Sequence, residues 1–156
     1  MNGTSNYFAY NTPFGKVTLQ AVNEKITRLV PGDVPLVGTR ASSNVTNAAA
    51  TQLQEYLAGH RRMFDVPIDP QGTDFQKEVW RMLELIPFGE TRTYAQVAAS
   101  IGRPGAARAV GGANNANPIP IIIPCHRVVA ANGMGGYAYG LDMKRFLLEL
   151  EQRAKD

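Results

Sequence analysis

The chain has 156 residues, 44% of them hydrophobic, which is room for one ordinary domain, or one with a small appendage, and apolar material for its core. Sixteen Lys and Arg against thirteen Asp and Glu give a net charge of +3, which favours a polyanionic partner without identifying one. The longest apolar run, around Ile121, is far shorter than the roughly 20 residues of a membrane helix, Met1 to Tyr10 lacks a signal-peptide pattern, and a single cysteine excludes an internal disulfide or a site built from several thiolates, so the expected address is cytoplasmic.

Residues 7–30 alternate as short strands do, with Val17, Leu19 and Ala21 on one face and Lys16, Thr18 and Gln20 on the other. Thr12-Pro13-Phe14-Gly15 and Asn23-Glu24-Lys25 supply turns, so a hairpin or meander ending near Val30 is predicted. Pro31 to Asn44 reads as a loop, Asn47 to Ala58 as a helix closed by Gly59, and Met63 to Ile68 as a strand. His60, beside Arg61 and Arg62, suits a solvated cation at a helix end. This stretch holds no catalytic cluster.

Asp69 to Gly72 is a plausible boundary. Thr73 with Gln76 three residues on forms a capping-box pattern, and Phe75, Val79, Trp80 and Leu83 make the apolar stripe of a helix to about Ile86, with Trp80 in the core. Thr93 and Gln96 repeat that spacing and open a short helix to Ile101. After Gly102-Arg103-Pro104-Gly105, a second helix is predicted from Ala106 to about Asn115. Helix, short glycine-containing turn, helix is the outline of a helix-turn-helix. The second helix is lined with small residues, Ala106, Ala107, Ala109, Gly111 and Gly112, although each interior glycine costs about 1 kcal/mol relative to Ala. A surface kept flat at that cost suits close approach, either by a large partner or by another part of the same chain. Arg108 stands among them, and Asn114 and Asn115 near the end read either as hydrogen-bonding groups or as a fraying terminus.

The chain is organised around Asn117 to Val128, which reads Asn-Pro-Ile-Pro-Ile-Ile-Ile-Pro-Cys-His-Arg-Val. Pro118, Pro120 and Pro124 bias their predecessors away from helix, and a stiff extended segment is predicted from Asn117 to Pro124. It delivers the only cysteine, Cys125, with His126 immediately after it. A lone cysteine reads either as an inert packed side chain or as a nucleophile, and its thiol, with a reference pKa of about 8.5, needs a base to be useful at pH 7. A glycine-rich loop from Gly133 to Gly136, then Tyr137-Ala138-Tyr139-Gly140, leads to a closing amphipathic helix from Leu141 to Ala154, on which Glu151 would ordinarily be solvated. The expected fold is therefore α/β: a small N-terminal α/β lobe, 1–69, with a short antiparallel sheet plus helix, and a mainly helical C-terminal domain, 70–156, with a helix-turn-helix.

Pro124-Cys125-His126-Arg127-Val128, preceded by Asn117-Pro118, resembles the acceptor-site signature of the O6-alkylguanine-DNA alkyltransferases. The resemblance runs from Gly72 to Glu151 through Phe88-Gly89-Glu90-Thr91, Tyr94, Arg108-Ala109-Val110-Gly111 and Gly136-Tyr137, and continues more weakly in Gln54-Glu55-Tyr56-Leu57-Ala58-Gly59. It implies direct-reversal DNA repair, in which O6-alkylguanine is flipped out of duplex DNA and its alkyl group passes irreversibly to Cys125. Catalytic roles are implied for Cys125, a water, His126 and Glu151 as a relay, with Asn117 holding the segment and Tyr94 supplying a proton to the leaving base. Arg108 would fill the gap left by the flipped base, and Ala106, Ala107, Ala109, Gly111 and Asn114 would lie against the minor groove. Pro120, Tyr137 and Tyr139 would line the pocket. The Ala138 N–H would face the guanine oxygen, and the Cys125 and Val128 carbonyls its amino edge. No cofactor, metal or membrane is implied, and the protein is expected to act as a monomer.

Where relatives commonly carry a glycine pair after the Tyr137 position, this chain has Tyr139-Gly140. Methyl adducts should therefore react better than bulky ones such as benzyl, and equal transfer rates for the two would break this expectation. Three rivals compete. A lesion sensor without transfer has no use for Cys125, a cysteine hydrolase with turnover would need an oxyanion hole, and a structural module would leave Cys125 inert.

Overall fold

The computed structural model describes residues 4–154; the outer limits of the two expected domains, 1 and 156, lie outside them. The chain divides into two compact units, Met1–Gln71 and Gly72–Asp156.

The first unit is a four-stranded sheet of order β3-β2-β1-β4 with one helix. β1 (Ser5–Thr12), β2 (Gly15–Val22) and β3 (Lys25–Pro31) form an antiparallel meander in which Phe8 faces Leu19 and Leu19 faces Leu29. Asn23 and Glu24 both take positive φ, as a two-residue turn matched to strand twist requires. Val17, Leu19 and Ala21 are buried as their alternation predicts. Thr18 and Gln20 on the opposite face are buried too, because the segment after β3 folds across them. The Thr18 hydroxyl donates to Gly32 O and accepts from Val34 N–H, and Gln20 Nε2 donates to Val37 O. That segment, predicted as a plain loop, also contributes β4 (Thr39–Arg40), parallel to β1.

Helix α1 (Asn44–Leu57) packs on this sheet and begins three residues before its predicted start. A Ser43–Thr46 capping box sets the earlier start: the Ser43 hydroxyl accepts from Thr46 N–H and the Thr46 hydroxyl accepts from Ser43 N–H. The strand predicted at 63–68 does not form. The chain meets β3 only at Ile26, which donates to Pro67 O and accepts from Asp69 N–H. Pro67 has no N–H with which to extend the ladder.

In the second unit, α2 (Asp74–Glu84) and α3 (Tyr94–Ser100) start at the expected capping boxes, Thr73 with Gln76 and Thr93 with Gln96. α4 (Ala107–Asn115) follows a turn through Gly102, whose φ is +76°, and packs on both α2 and α3. Trp80 is buried in that packing, and its indole N–H donates to Ala113 O at 2.8 Å. Two short strands, β5 (Arg92–Thr93) and β6 (Val128–Val129), pair in parallel, and α5 (Leu141–Arg153) closes the unit. Among the described residues no helix is long and apolar enough to cross a membrane.

The segment Asn117 to Pro124 is not helical, but neither is it extended. It folds back on itself: Ile123 N–H donates to Ile119 O at 2.9 Å, and Ile121 takes a φ of +75°. The prolines restrict Asn117, Ile119 and Ile123, which leaves Ile121 and Ile122 able to bend. A β-branched residue at positive φ is strained and needs surroundings that hold it there. Ile119, Ile121, Ile122 and Ile123 are all buried, and Asn117 ties the two ends of the bend together.

Candidate active site

Asn117 is itself buried, and its amide works in both directions: Nδ2 donates to Ile123 O at 2.8 Å, while Oδ1 accepts from Ile119 N–H at 3.0 Å. The bend so held leads through Pro124 into a single 3-10 turn, Cys125–Arg127, and then into β6. Because the turn is helical, Cys125, His126 and Arg127 fan out from one point and do not alternate as on an extended chain. All three are buried, His126 completely.

Glu151, on the inner face of α5, receives two of them. Its Oε2 lies 2.7 Å from His126 Nε2, and its carboxylate accepts from Arg127 Nε at 2.9 Å and Arg127 Nη2 at 3.0 Å. Gly89 N–H donates to Glu151 Oε1 at 3.0 Å, and Arg127 Nη1 donates to Ile86 O at 2.7 Å. Burial by itself would raise the Glu151 pKa, but the hydrogen bonds and charges of His126 and Arg127 outweigh it and hold the carboxyl at about 2. An ionised carboxylate can only accept, so the proton between the two lies on His126 Nε2, which leaves Nδ1 as the basic ring nitrogen. Burial pushes the His126 pKa down, against the opposing pull of Glu151, so the ring rests neutral.

Cys125 is 3% exposed, and burial pushes its thiol up to about 11 against the lowering effects of Asn117, Lys144 and Tyr137. The resting group is thus a protonated thiol that ionises only when a base takes its proton. Lys144 is fully buried and donates from Nζ to Val128 O at 2.7 Å and to Gly136 O at 2.9 Å. Burial lowers its pKa to about 8, partly offset by Cys125.

Around this centre the fold gathers other residues singled out from the sequence. Tyr94, the half-buried first residue of α3, lies between two glycines. A Cβ on Gly135 would come within 2.8 Å of the Tyr94 hydroxyl, and one on Gly111 would touch the ring at 3.9 Å. Pro120, Val128 and Tyr137 are buried, and Tyr139 is half-buried with its ring edge-on to Tyr137 at 5.7 Å; Ala138 between them is exposed. On α4, Arg108, Ala109 and Gly112 are exposed, and Ala106, Ala107 and Gly111 are partly so. Asn114 stands apart from them: it is 2% exposed and donates from Nδ2 to Cys125 O at 3.2 Å.

Two members of the cluster, Arg127 and Lys144, were not singled out from the sequence. A signal was there for Lys144: residues 144, 147 and 151 share one helical face, and Leu147 marks that face as the buried one. The same spacing overturns the ordinary expectation that Glu151 is solvated, since it is 1% exposed.

Residues 74–153 match the 6-O-methylguanine DNA methyltransferase DNA binding domain, and residues 6–70 match the ribonuclease-like domain of the same family. A methylated-DNA--protein-cysteine methyltransferase of Methanosarcina acetivorans is 61% identical over 104 residues, 66% of this chain and 67% of the relative. One of Mycolicibacterium paratuberculosis is 44% identical over 152 residues, covering 94% of this chain and 92% of the relative. The crystal structure of Mycobacterium tuberculosis OGT in complex with DNA superposes with a TM-score of 0.88 at 44% identity, covering 96% of this chain and 94% of the other.

Proposed function

The chain belongs to the 6-O-methylguanine DNA methyltransferase family, and we propose that it repairs duplex DNA by flipping out O6-alkylguanine and moving the alkyl group irreversibly onto Cys125. The observation that carries this reading is the placement of the only cysteine in one turn with a buried imidazole already locked to an ionised carboxylate.

The thiol proton leaves through a bridging water to His126 Nδ1, and Glu151 stabilises the imidazolium that forms. The sulfur then attacks the alkyl carbon in line. A carbon–sulfur bond forms, the bond from that carbon to the guanine oxygen breaks, and its electron pair stays on the base. Tyr94 protonates the departing guanine, the Ala138 N–H donates to its oxygen, and as the His126 imidazolium releases its proton to solvent the Tyr94 phenolate regains one. In net terms the thiol proton is exchanged for the alkyl group. The product thioether has no carbonyl for water to attack, so each molecule acts once. Asn117 keeps the bend and the acceptor turn in place. The Cys125 and Val128 carbonyls meet the guanine amino edge, with Pro120, Tyr137 and Tyr139 as pocket walls.

The exposed small residues of α4 suit close approach to the minor groove, with Ala106, Ala107, Ala109 and Gly111 against it and Arg108 in the place of the flipped base. Unstacking a base costs a few kcal/mol, and a side chain in the gap offsets part of that. In this reading the C-terminal domain expected over 70–156 holds both DNA-binding and acceptor functions, the first unit supports them, and the protein works as a cytoplasmic monomer without a cofactor.

The test is intact-mass measurement after incubation with excess DNA containing O6-methylguanine. One added methyl group on the peptide bearing Cys125, with repair stopping at one lesion per protein and no gain in a Cys125→Ala variant, is expected. Tight binding at unchanged mass would replace this reading with a lesion sensor, and product release beyond one equivalent with a hydrolase.

A further inference from the structure

The two carbonyls that meet the guanine amino edge are each gripped by a buried side chain from a different helix. Lys144 of α5 donates to Val128 O, and Asn114 of α4 donates to Cys125 O. The two grips differ in what they leave over. An ammonium has only donors, and Lys144 spends a second one on Gly136 O. The Asn114 amide also has an acceptor, Oδ1, which is buried and has no hydrogen-bond partner among the described residues.

Holding a carbonyl in place needs a donor alone. A buried amide oxygen left without one is costly, and such atoms are rare enough in folded proteins that each calls for an explanation. Oδ1 and Nδ2 belong to one planar group, so this acceptor lies within one amide's width of the Cys125 carbonyl that Nδ2 holds, and in the alkyl-transfer reading that carbonyl meets the edge of the flipped base. Alkylation at O6 removes the hydrogen from guanine N1, which leaves the 2-amino group as the only donor on the base-pairing edge. That group has two N–H bonds to give. In the alkyl-transfer reading one meets the Val128 carbonyl, and the other points between the Cys125 carbonyl and Asn114 Oδ1, which can share it as a bifurcated bond. An O4-alkylated thymine has none on the same edge.

We propose that Asn114 Oδ1 accepts a hydrogen bond from the 2-amino group of the flipped O6-alkylguanine while Asn114 Nδ2 fixes the Cys125 carbonyl, which makes Asn114 a specificity-determining residue of the pocket. This rests on the alkyl-transfer reading and adds to it a side chain that selects the base. A site built to hydrogen-bond its substrate rejects an analogue lacking the partner, because its own buried group is then left unpaired.

Single-turnover transfer, with protein in excess, is measured from a duplex containing O6-methylguanine and from the same duplex containing O6-methylhypoxanthine, in which hydrogen replaces the 2-amino group. The protein is compared with its Asn114→Leu and Asn114→Ala variants. The unsubstituted protein should prefer the guanine lesion by about tenfold or more. Both variants also remove the Nδ2 grip on the Cys125 carbonyl, so both lesions slow, but O6-methylguanine should slow by about tenfold more than O6-methylhypoxanthine, which erases most of the preference. A change in the ratio of the two rate constants does not depend on how much of the protein is folded, so loss of fold cannot mimic the result.

Parallel slowing on both lesions would leave Asn114 only the task of holding the Cys125 carbonyl and would overturn the proposal. Absence of any preference in the unsubstituted protein would overturn it whatever the variants do. If that protein takes a methyl group from neither duplex, the alkyl-transfer reading falls and this inference with it.

Discussion

The two units bury different kinds of polar group. Among the described residues of Met1–Gln71 the buried polar side chains are Thr18, Gln20, Thr27, Thr46 and Gln52, all neutral. Their partners lie within the same unit and are structural. Thr27 donates to Gln20 Oε1, Thr46 closes a helix cap, and the Gln52 amide pairs with both the side chain and the backbone N–H of Asp65. In Gly72–Asp156 the buried set includes His126, Arg127, Lys144 and Glu151, gathered about Cys125. Burying neutral amides and hydroxyls with partners costs little. Removing charges from water costs several kcal/mol per ion unless each is paired, and a well-packed apolar replacement is often at least as stable. A fold that concentrates four ionisable side chains around one thiol therefore does so for chemistry, whereas the first unit buries polarity to hold a loop against a sheet.

The substitution that should separate the units most is Glu151→Gln. It leaves the Arg127 guanidinium buried without its counter-charge, and a loss of about 3–5 kcal/mol in urea unfolding is expected, together with a large drop in transfer rate. The same carboxylate should govern acid stability. Its folded pKa of about 2 lies below the ordinary 4.5, so its contribution is fully present above about 4.5 and is lost as pH falls toward 2. This part of the stability profile should flatten in Glu151→Gln, and an unchanged acid limb in that variant would show that the cluster does not carry the charge assigned to it. The smallest effect is expected in the other unit. Gln52→Ala should cost about 1–2 kcal/mol through the lost bonds to Asp65 and leave the transfer rate per folded molecule unchanged. A fall in that rate would break the contrast, because a neutral structural amide would then matter to the chemistry.

Much of the fold was legible because its signals are local. Thr73 with Gln76, and Thr93 with Gln96, announce helix starts through hydrogen bonds made within four residues. The Ser43–Thr46 start of α1 was missed because its N3 residue is Thr, whose hydroxyl does what Glu or Gln does in the commoner pattern. The 31–44 segment read as a plain loop because nothing in it reveals that Thr18 and Gln20, on a strand far away in sequence, will use its carbonyls. Within the site, Cys125, His126 and Asn117 were legible as one contiguous motif. Glu151 came from resemblance, since an acidic residue near the end of an amphipathic helix looks like any solvated one. Asn114, grouped from the sequence with the flat face of α4, is buried against the acceptor cysteine, because the helix turns position 114 away from the face that carries Arg108 and Ala109.

By itself the sequence determined the hairpin turns, the capped helices, the small-residue face of α4, and a single thiol placed after a proline-bounded isoleucine run beside an imidazole. Those features depend on neighbours one to four positions apart, where backbone restriction and short-range hydrogen bonds dominate. Tertiary structure alone decided that the isoleucine run bends at Ile121, that Arg127 and Glu151 neutralise each other in the interior, and that Lys144 and Asn114 grip the Val128 and Cys125 carbonyls. The ion pair and the two grips join residues from separate elements, and the strained φ of Ile121 is held by the burial around it. Whether a charge is solvated or held in the dark beside a thiol depends on what the fold brings against it.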